Sequence, residues 1–229
     1  NLLPLDELIK HTGINIKDFH FSGISASSYN GEIYGIPIET IPDLLFYRKD
    51  IFEKFNIGKP DNFKDLLEYS KKIKSLNVCE SPIVWPARKG HPMATSFILM
   101  MANFGQPIVN LRHISGSLYD MNSTNVNLVT TFKSKAAYKA AETLKNLTNY
   151  SPSNISSMSN DECVEYYSKG KSIMSMSWSS RASKFELDNN SPAFLNTGYL
   201  PRPAGINNFQ ISPIGGFSLG IPSNVNPKK

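Results

Sequence analysis

Hydrophobic residues fall at two spacings along this chain, and the alternation between them predicts helices interleaved with short strands. Leu5, Leu8 and Ile9 mark one face of a short helix over residues 4–11, ended by Gly13. Arg48-Lys49-Asp50 opens a second helix that runs to Phe55, stopped by Gly58 and Pro60. Phe63, Leu66, Leu67 and Ile73 recur at helical intervals behind Asp61 or Asn62, either of which can cap the helix. Met93, Phe97, Met100, Met101 and Phe104 repeat the pattern after Pro92, and flexible apolar side chains at that spacing read as core. Ala137, Ala140, Ala141, Leu144 and Leu147 give the helix over 134–147 a compact apolar face. Ser159-Asn160-Asp161-Glu162 has the form of a capping box and starts a helix through Ser168, and a short one follows over 181–187.

The strand pattern is shorter and more buried. Tyr29-Asn30-Gly31 reads as a turn, because Asn-Gly supplies the positive φ of a tight reversal. Strands are predicted over 32–37, 44–47, 81–85, 172–177, 197–200 and 214–221, and residues 106–129 lack a regular pattern. Helices and strands in this order predict a layered α/β fold.

Composition narrows the function. The chain has 229 residues, 40% of them hydrophobic, enough for one large core or two modest lobes. Net charge is +5, but Lys64, Lys71, Lys72 and Lys74 share their helix with Asp65 and Glu68. That is a solvated helix face, not the basic stripe of a nucleic-acid binder. The most apolar run, Phe97 to Phe104, is broken by Asn103 and falls far short of the roughly 20 residues that span a bilayer. The chain opens on Asn1-Leu2-Leu3-Pro4, without the basic start and cleavage site of a signal peptide. Cys79 and Cys163 can pair or remain thiols, and their spacing does not decide which. His11, His20, His91 and His113 lack metal-ligand spacing, so no metal and no cofactor are expected. There is no nucleophile elbow, no H-E-x-x-H, no P-loop and no G-x-G-x-x-G turn, so the chain is not expected to be an enzyme.

Six segments, in order, carry a resemblance. They are Leu3-Pro4-Leu5-Asp6, Asn30-Gly31-Glu32-Ile33-Tyr34-Gly35-Ile36-Pro37, Leu44-Leu45-Phe46-Tyr47-Arg48-Lys49-Asp50-Ile51-Phe52 with Phe63-Lys64-Asp65-Leu66-Leu67, Gly170-Lys171-Ser172-Ile173-Met174, Tyr199-Leu200-Pro201-Arg202-Pro203, and Gly215-Gly216-Phe217-Ser218-Leu219-Gly220-Ile221-Pro222. Together they resemble the family-1 extracellular solute-binding proteins, the sugar-binding receptors of ABC importers.

The resemblance implies a two-lobed periplasmic-binding-protein type II fold, incomplete at the N- and C-termini relative to the family. Residues 1–40 are then part of lobe I and 44–200 most of lobe II. Residues 205–229 return to lobe I, with crossings near 39–43 and 200–204. It implies a periplasmic or lipid-anchored cell-surface receptor that closes on a solute and delivers it to a membrane permease.

A sugar offers hydroxyls at its edge and C–H patches on its faces, so its site needs aromatic planes and polar side chains. Trp178, just past a strand and among Ser177, Ser179, Ser180 and Arg181, is the first candidate for the aromatic wall. Trp85 precedes the polar loop that holds Arg88 and His91, both candidate hydroxyl ligands. Glu39 and Asp43, at the first crossing, can accept hydroxyl hydrogen bonds or serve as hinge structure. Gly215 and Gly216 allow close backbone approach, with Phe217 beside them for stacking or for core. Arg181 can fork onto a carboxylate or phosphate, of the ligand or of the protein itself. Two alternatives remain open. One is the same fold with a polyamine, peptide or cofactor as solute. The other is a carbohydrate-active enzyme using Glu39 and Asp43, whose separation decides the chemistry.

Overall fold

The computed structural model describes residues 1–115, 118–119, 127–205 and 210–225. Its elements in chain order are α1 (Asp6–Thr12), α2 (Phe21–Ala26), β1 (Ser28–Tyr29), β2 (Glu32–Ile33), β3 (Ile36–Arg48), α3 (Lys49–Lys54), α4 (Phe63–Leu76), β4 (Ser81–Val84) and α5 (His91–Asn103). Then follow β5 (His113–Ser115), β6 (Leu118–Tyr119), α6 (Lys135–Thr148), α7 (Asn160–Ser168), β7 (Ser172–Trp178), α8 (Ser183–Glu186), β8 (Thr197–Pro201) and β9 (Ile214–Leu219). The chain divides into two compact units. Among the described residues, the first holds 1–42 and 214–225 and the second holds 43–119 and 127–213.

In the second unit the sheet order is β4-β7-β3-β8. β4 runs parallel to β7, while β3 is antiparallel to both β7 and β8. β7 is central, and six of its seven residues are buried, as a strand covered on both faces requires. Helix α7 packs on β7 and α4 on β4, while α5 and α6 pack on each other. Their buried faces follow the predicted spacing with one exception: Phe63, Leu66 and Ile73 on α4, Met100 and Met101 on α5, and Ala137, Ala140, Leu144 and Leu147 on α6, where Ala141 is exposed instead. Three of these helices start on side chains that take up orphan backbone N–H groups. Asn62 accepts from the Asp65 N–H at 2.9 Å, Ser134 accepts from that of Ala137 at 3.2 Å, and Ser159 and Glu162 close a capping box. Cys79 and Cys163 are free thiols.

The first unit is built around a hairpin and a two-stranded ribbon. Asn30 and Gly31 both take positive φ, 50° and 84°, in the two-residue turn that pairs Tyr29 with Glu32. The predicted strand over 32–37 divides there. Glu32 and Ile33 pair back on β1, and a new strand starts at Ile36. Gly35 separates them where an added Cβ would lie 2.9 Å from that of Ser218. β3 then continues without interruption to Arg48. Its polar stretch 39–43 lacks strand periodicity and is held extended by its backbone: Glu39, Thr40, Ile41 and Pro42 face Phe217, Gly216, Gly215 and Ile214 of β9. The end of the first unit is tied by Leu3 N–H to Ile221 O at 2.8 Å and Leu5 N–H to Ile33 O at 2.7 Å.

Candidate functional site

In the second unit, β7 and β8 end together on either side of β3. Trp178, the last residue of β7, lies directly opposite Asp43 of β3. Pro201 of β8 lies opposite Leu44, which sets Arg202 beside Asp43 on the other side. The Arg202 guanidinium donates through Nε to the Asp43 carboxylate. Both residues are buried, and Trp178 is half-buried. The Arg202 backbone N–H donates to Ser212 Oγ at 2.9 Å, and its carbonyl accepts from Gln210 at 2.9 Å. Nη1 of Arg202 is buried with no hydrogen-bond partner among the described residues.

The loop after β4 is held rigidly. Trp85 has no exposed surface; its indole N–H donates to Ser151 Oγ at 3.1 Å, and the ring packs in the hydrophobic core. Its position one residue past a fully buried strand draws it inward, where it anchors the start of the loop. The N–H groups of Ala87 and Arg88 both donate to Met158 O, and Ser96 Oγ donates to Pro86 O at 2.7 Å. Arg88 and His91 are left exposed, His91 as the first residue of α5.

The two acidic residues in the first turn of α7 each take one arginine. Arg181 donates to Asp161, and Arg88 lies 3.8 Å from Glu162. Glu162 accepts from the Ser159 N–H and hydroxyl, which with the nearby Arg88 guanidinium holds its carboxyl below the usual range. These contacts tie the loop after β4 and the turn after β7 to one helix start.

In the first unit the structure brings Glu39, Gly216 and Phe217 together. Glu39 faces Phe217 across the β3–β9 ribbon, and all three line a cavity of about 210 Å³ with Gly23, Ser27 and Thr40. Gly216 has φ 143°, and a Cβ there would lie 2.0 Å from Glu39 O, so only glycine fits. Phe217 is exposed, as is Glu39. Ser27 and Ser218 share a hydrogen bond of 2.6 Å on the same wall.

Arg202 was not among the residues the sequence pattern singled out. A lone Arg between two prolines at a strand end carries no periodic signal, and its partner is 159 positions away. Asp161 and Glu162 read in sequence as helix capping alone; nothing local announces the arginines that reach them. Among the described residues, no group of three or more His, Cys, Asp or Glu side chains converges as a metal site would require.

Comparison with known proteins identifies what carries this architecture. The bacterial extracellular solute-binding protein family matches residues 2–229. The chain belongs to that family. Among solved structures it is similar to T. maritima MalE3 bound to maltose, with a TM-score of 0.79 and 21% identity over 99% of this chain and 54% of that one. It is also similar to an ABC transporter solute-binding protein from Agrobacterium radiobacter K84 in complex with ribitol, with a TM-score of 0.81 and 18% identity over the same shares. The α/β fold is that of these two-lobed binding proteins, and the chain spans about half their length. Curated family relatives match more locally. An uncharacterized ABC transporter extracellular-binding protein of Pyrococcus horikoshii is 27% identical over 46% of this chain and 25% of its own length. The sn-glycerol-3-phosphate-binding periplasmic protein of Shigella flexneri is 28% identical over 33% of this chain and 19% of its own. Membership places the chain among extracellular proteins, and among the described residues no helix is long and apolar enough to cross a membrane.

Proposed function

We propose that the protein is a receptor that captures a sugar or polyol outside the membrane and passes it, unchanged, to the permease of an ABC importer. The observation that carries this reading is the family match across residues 2–229, joined to a fold likeness over 99% of the chain to receptors bound to maltose and ribitol. Other structures of the same likeness hold D-mannitol and alpha-D-tagatose. The chemistry of the exposed candidates agrees. Trp178 offers an aromatic plane, Arg88 and His91 offer donors on a pinned loop, and Glu39 with Phe217 offers an acceptor beside a ring. Pre-organised polar groups around aromatic surface are what a polyhydroxylated solute needs.

On this reading the first unit is part of lobe I and the second most of lobe II. Trp85 and Asp43 support the site from within. The receptor works in the periplasm or as a lipoprotein at the cell surface, without turnover and without a cofactor. A second reading has two observations behind it: a receptor of Mycobacterium tuberculosis in complex with glycerophosphocholine shares the fold at a TM-score of 0.72, and the Shigella flexneri relative is an sn-glycerol-3-phosphate-binding protein.

Isothermal titration against mono-, di- and trisaccharides, polyols and glycerophosphodiesters tests both. Micromolar or tighter binding of one sugar or polyol, lost in Trp178→Ala, supports the receptor reading. Binding of a glycerophosphodiester alone replaces it with the second, and product formation from any glycoside refutes both.

A further inference from the structure

We propose that the groove between α4 and α6 in the second unit is a docking site for an acidic amphipathic segment of a partner protein. This surface shares no residue with the strand-end candidates, and what docks there is independent of the solute bound.

Charge divides unevenly between the two units. Among the described residues, the second unit carries 20 Lys and Arg against 13 Asp and Glu, and the first carries 2 against 5. Helices α4 and α6 hold much of that excess, with seven lysines against Asp65, Glu68 and Glu142. Asp65 is turned back onto the Asp61 N–H, 3.3 Å away, at the start of its helix.

The two helices touch, and side chains of both line a cavity of about 430 Å³. Its floor is apolar. Phe63 and Phe104 stack there with ring centroids 5.8 Å apart, and Leu67 lines the cavity with them. Around the floor stand the exposed residues Lys64, Lys139 and Glu142. Lys139 is bridged to Glu142 at 2.9 Å, whereas Lys64 has no carboxylate partner among the described residues. Lys71 continues the Lys64 side of α4, and Lys135 precedes Lys139 by one turn of α6, so cations outnumber carboxylates along both walls. Thr143 also lines the cavity. It is 7% exposed, and its hydroxyl has no hydrogen-bond partner among the described residues.

The groove is pre-formed, because the start of α4 is bonded to the segment after β8. Phe63 N–H donates to Ala204 O at 3.0 Å, and Ala204 N–H donates to Asp61 O at 2.7 Å. A floor recessed between lysines selects the occupant. Phe63 is 4% exposed, out of reach of a bilayer surface but within reach of an apolar side chain projecting from a helix. Carboxylates beside that anchor meet Lys64, Lys71 and Lys135, and the Thr143 hydroxyl can donate to an oxygen of the docked segment.

The test is fluorescence anisotropy with a labelled acidic peptide of about 14 residues, carrying Leu and Phe at helical spacing among Glu and Ala. The controls are a peptide with Lys for every Glu and one with Ser for Leu and Phe. The acidic amphipathic peptide should bind at least tenfold tighter than either control, and weaken as salt rises. Lys64→Glu and Leu67→Ser should each cut its affinity fivefold or more, with circular dichroism unchanged. Lys184→Glu, on α8, should leave it within twofold. Equal binding of the acidic and basic peptides, no binding at about 1 mM, or an affinity unmoved by both groove variants overturns the proposal. Binding to phosphatidylglycerol vesicles that Lys64→Glu abolishes, without peptide binding, gives the face to an anionic membrane and overturns it too. Self-association in sedimentation that Leu67→Ser abolishes gives the groove to a second copy, with the same consequence. Each of these failures leaves the receptor reading standing, since that is decided by solute titration.

Discussion

Arg202 donates through Nε to the carboxylate of Asp43, and neither residue has more than 4% of its surface exposed. Each charge loses its water and is compensated by the other. Removing one partner therefore leaves a charge uncompensated in the interior, at a cost of about 3–5 kcal/mol. Asp43→Asn and Arg202→Met should each lower stability in urea unfolding by that amount. The double variant Asp43→Leu/Arg202→Met should lose less than the sum of the two, because no orphaned charge remains. Single variants within about 1 kcal/mol of the parent would show that the pair is hydrated and not closed.

Much of the fold was legible because its signals are local. The helix faces of α4, α5 and α6, the caps at Asn62 and Ser159, and the Asn30–Gly31 turn each depend on residues a few positions apart. The continuity of β3 was not legible. Its polar middle carries no alternation, and what holds it extended is β9, about 175 positions away in sequence. The site divides along the same line. Trp178 could be placed at a strand end from local pattern, whereas Arg202 and the arginine pairs on α7 exist only through tertiary contact. Trp85 shows the reverse error of local reading. A tryptophan beside a polar loop looks available, but the buried strand it extends carries it into the core.

The two tryptophans should separate cleanly by variant. Trp85 is fully buried and donates to Ser151 Oγ, so Trp85→Ala leaves a large cavity and removes one buried hydrogen bond, while the Ser151 hydroxyl keeps its own bond to Leu147 O. A loss of about 3–5 kcal/mol is expected in chemical unfolding. Trp178 is half-buried at the strand end, so Trp178→Ala should cost much less stability. If it forms the aromatic wall, solute affinity should fall by roughly thirtyfold, the equivalent of about 2 kcal/mol at an interface hot spot. Equal stability losses with unchanged affinity would remove Trp178 from the site.

Gly216 tests the ribbon in the first unit. At φ 143° an L side chain is strained, and here its Cβ would also meet the Glu39 carbonyl. Gly216→Ala should lower the thermal midpoint by the equivalent of about 1–3 kcal/mol from backbone strain, with the steric contact adding to it. Gly13 is the control. It too has positive φ, at 72°, but nothing lies within 4 Å of an added Cβ. Gly13→Ala should therefore cost less. A reversed order would mean that β9 separates from β3 without penalty, and that Glu39 and Phe217 are not held opposite each other.

Cys79 offers a reading of the second unit's interior through its reactivity. Burial disfavours the thiolate and pushes its pKa up to about 11, more than the backbone hydrogen bond from Ser81 pulls it down. Cys163, with no exposed surface, is pushed higher still by the same cause. Alkylation by iodoacetamide, followed by peptide mass spectrometry, should show Cys79 reacting tens of times more slowly than free cysteine at pH 8, with a rate that climbs toward pH 11. Cys163 should react only on unfolding. The sign for stability follows from the raised value: the folded state keeps a proton that the unfolded thiol loses. The contribution is complete below the unfolded thiol's pKa, near 9, and is lost as pH rises toward about 11. Rapid labelling of Cys79 at pH 8 would mean that the segment joining α4 to β4 opens readily, and that the loop beyond β4 starts from a mobile base.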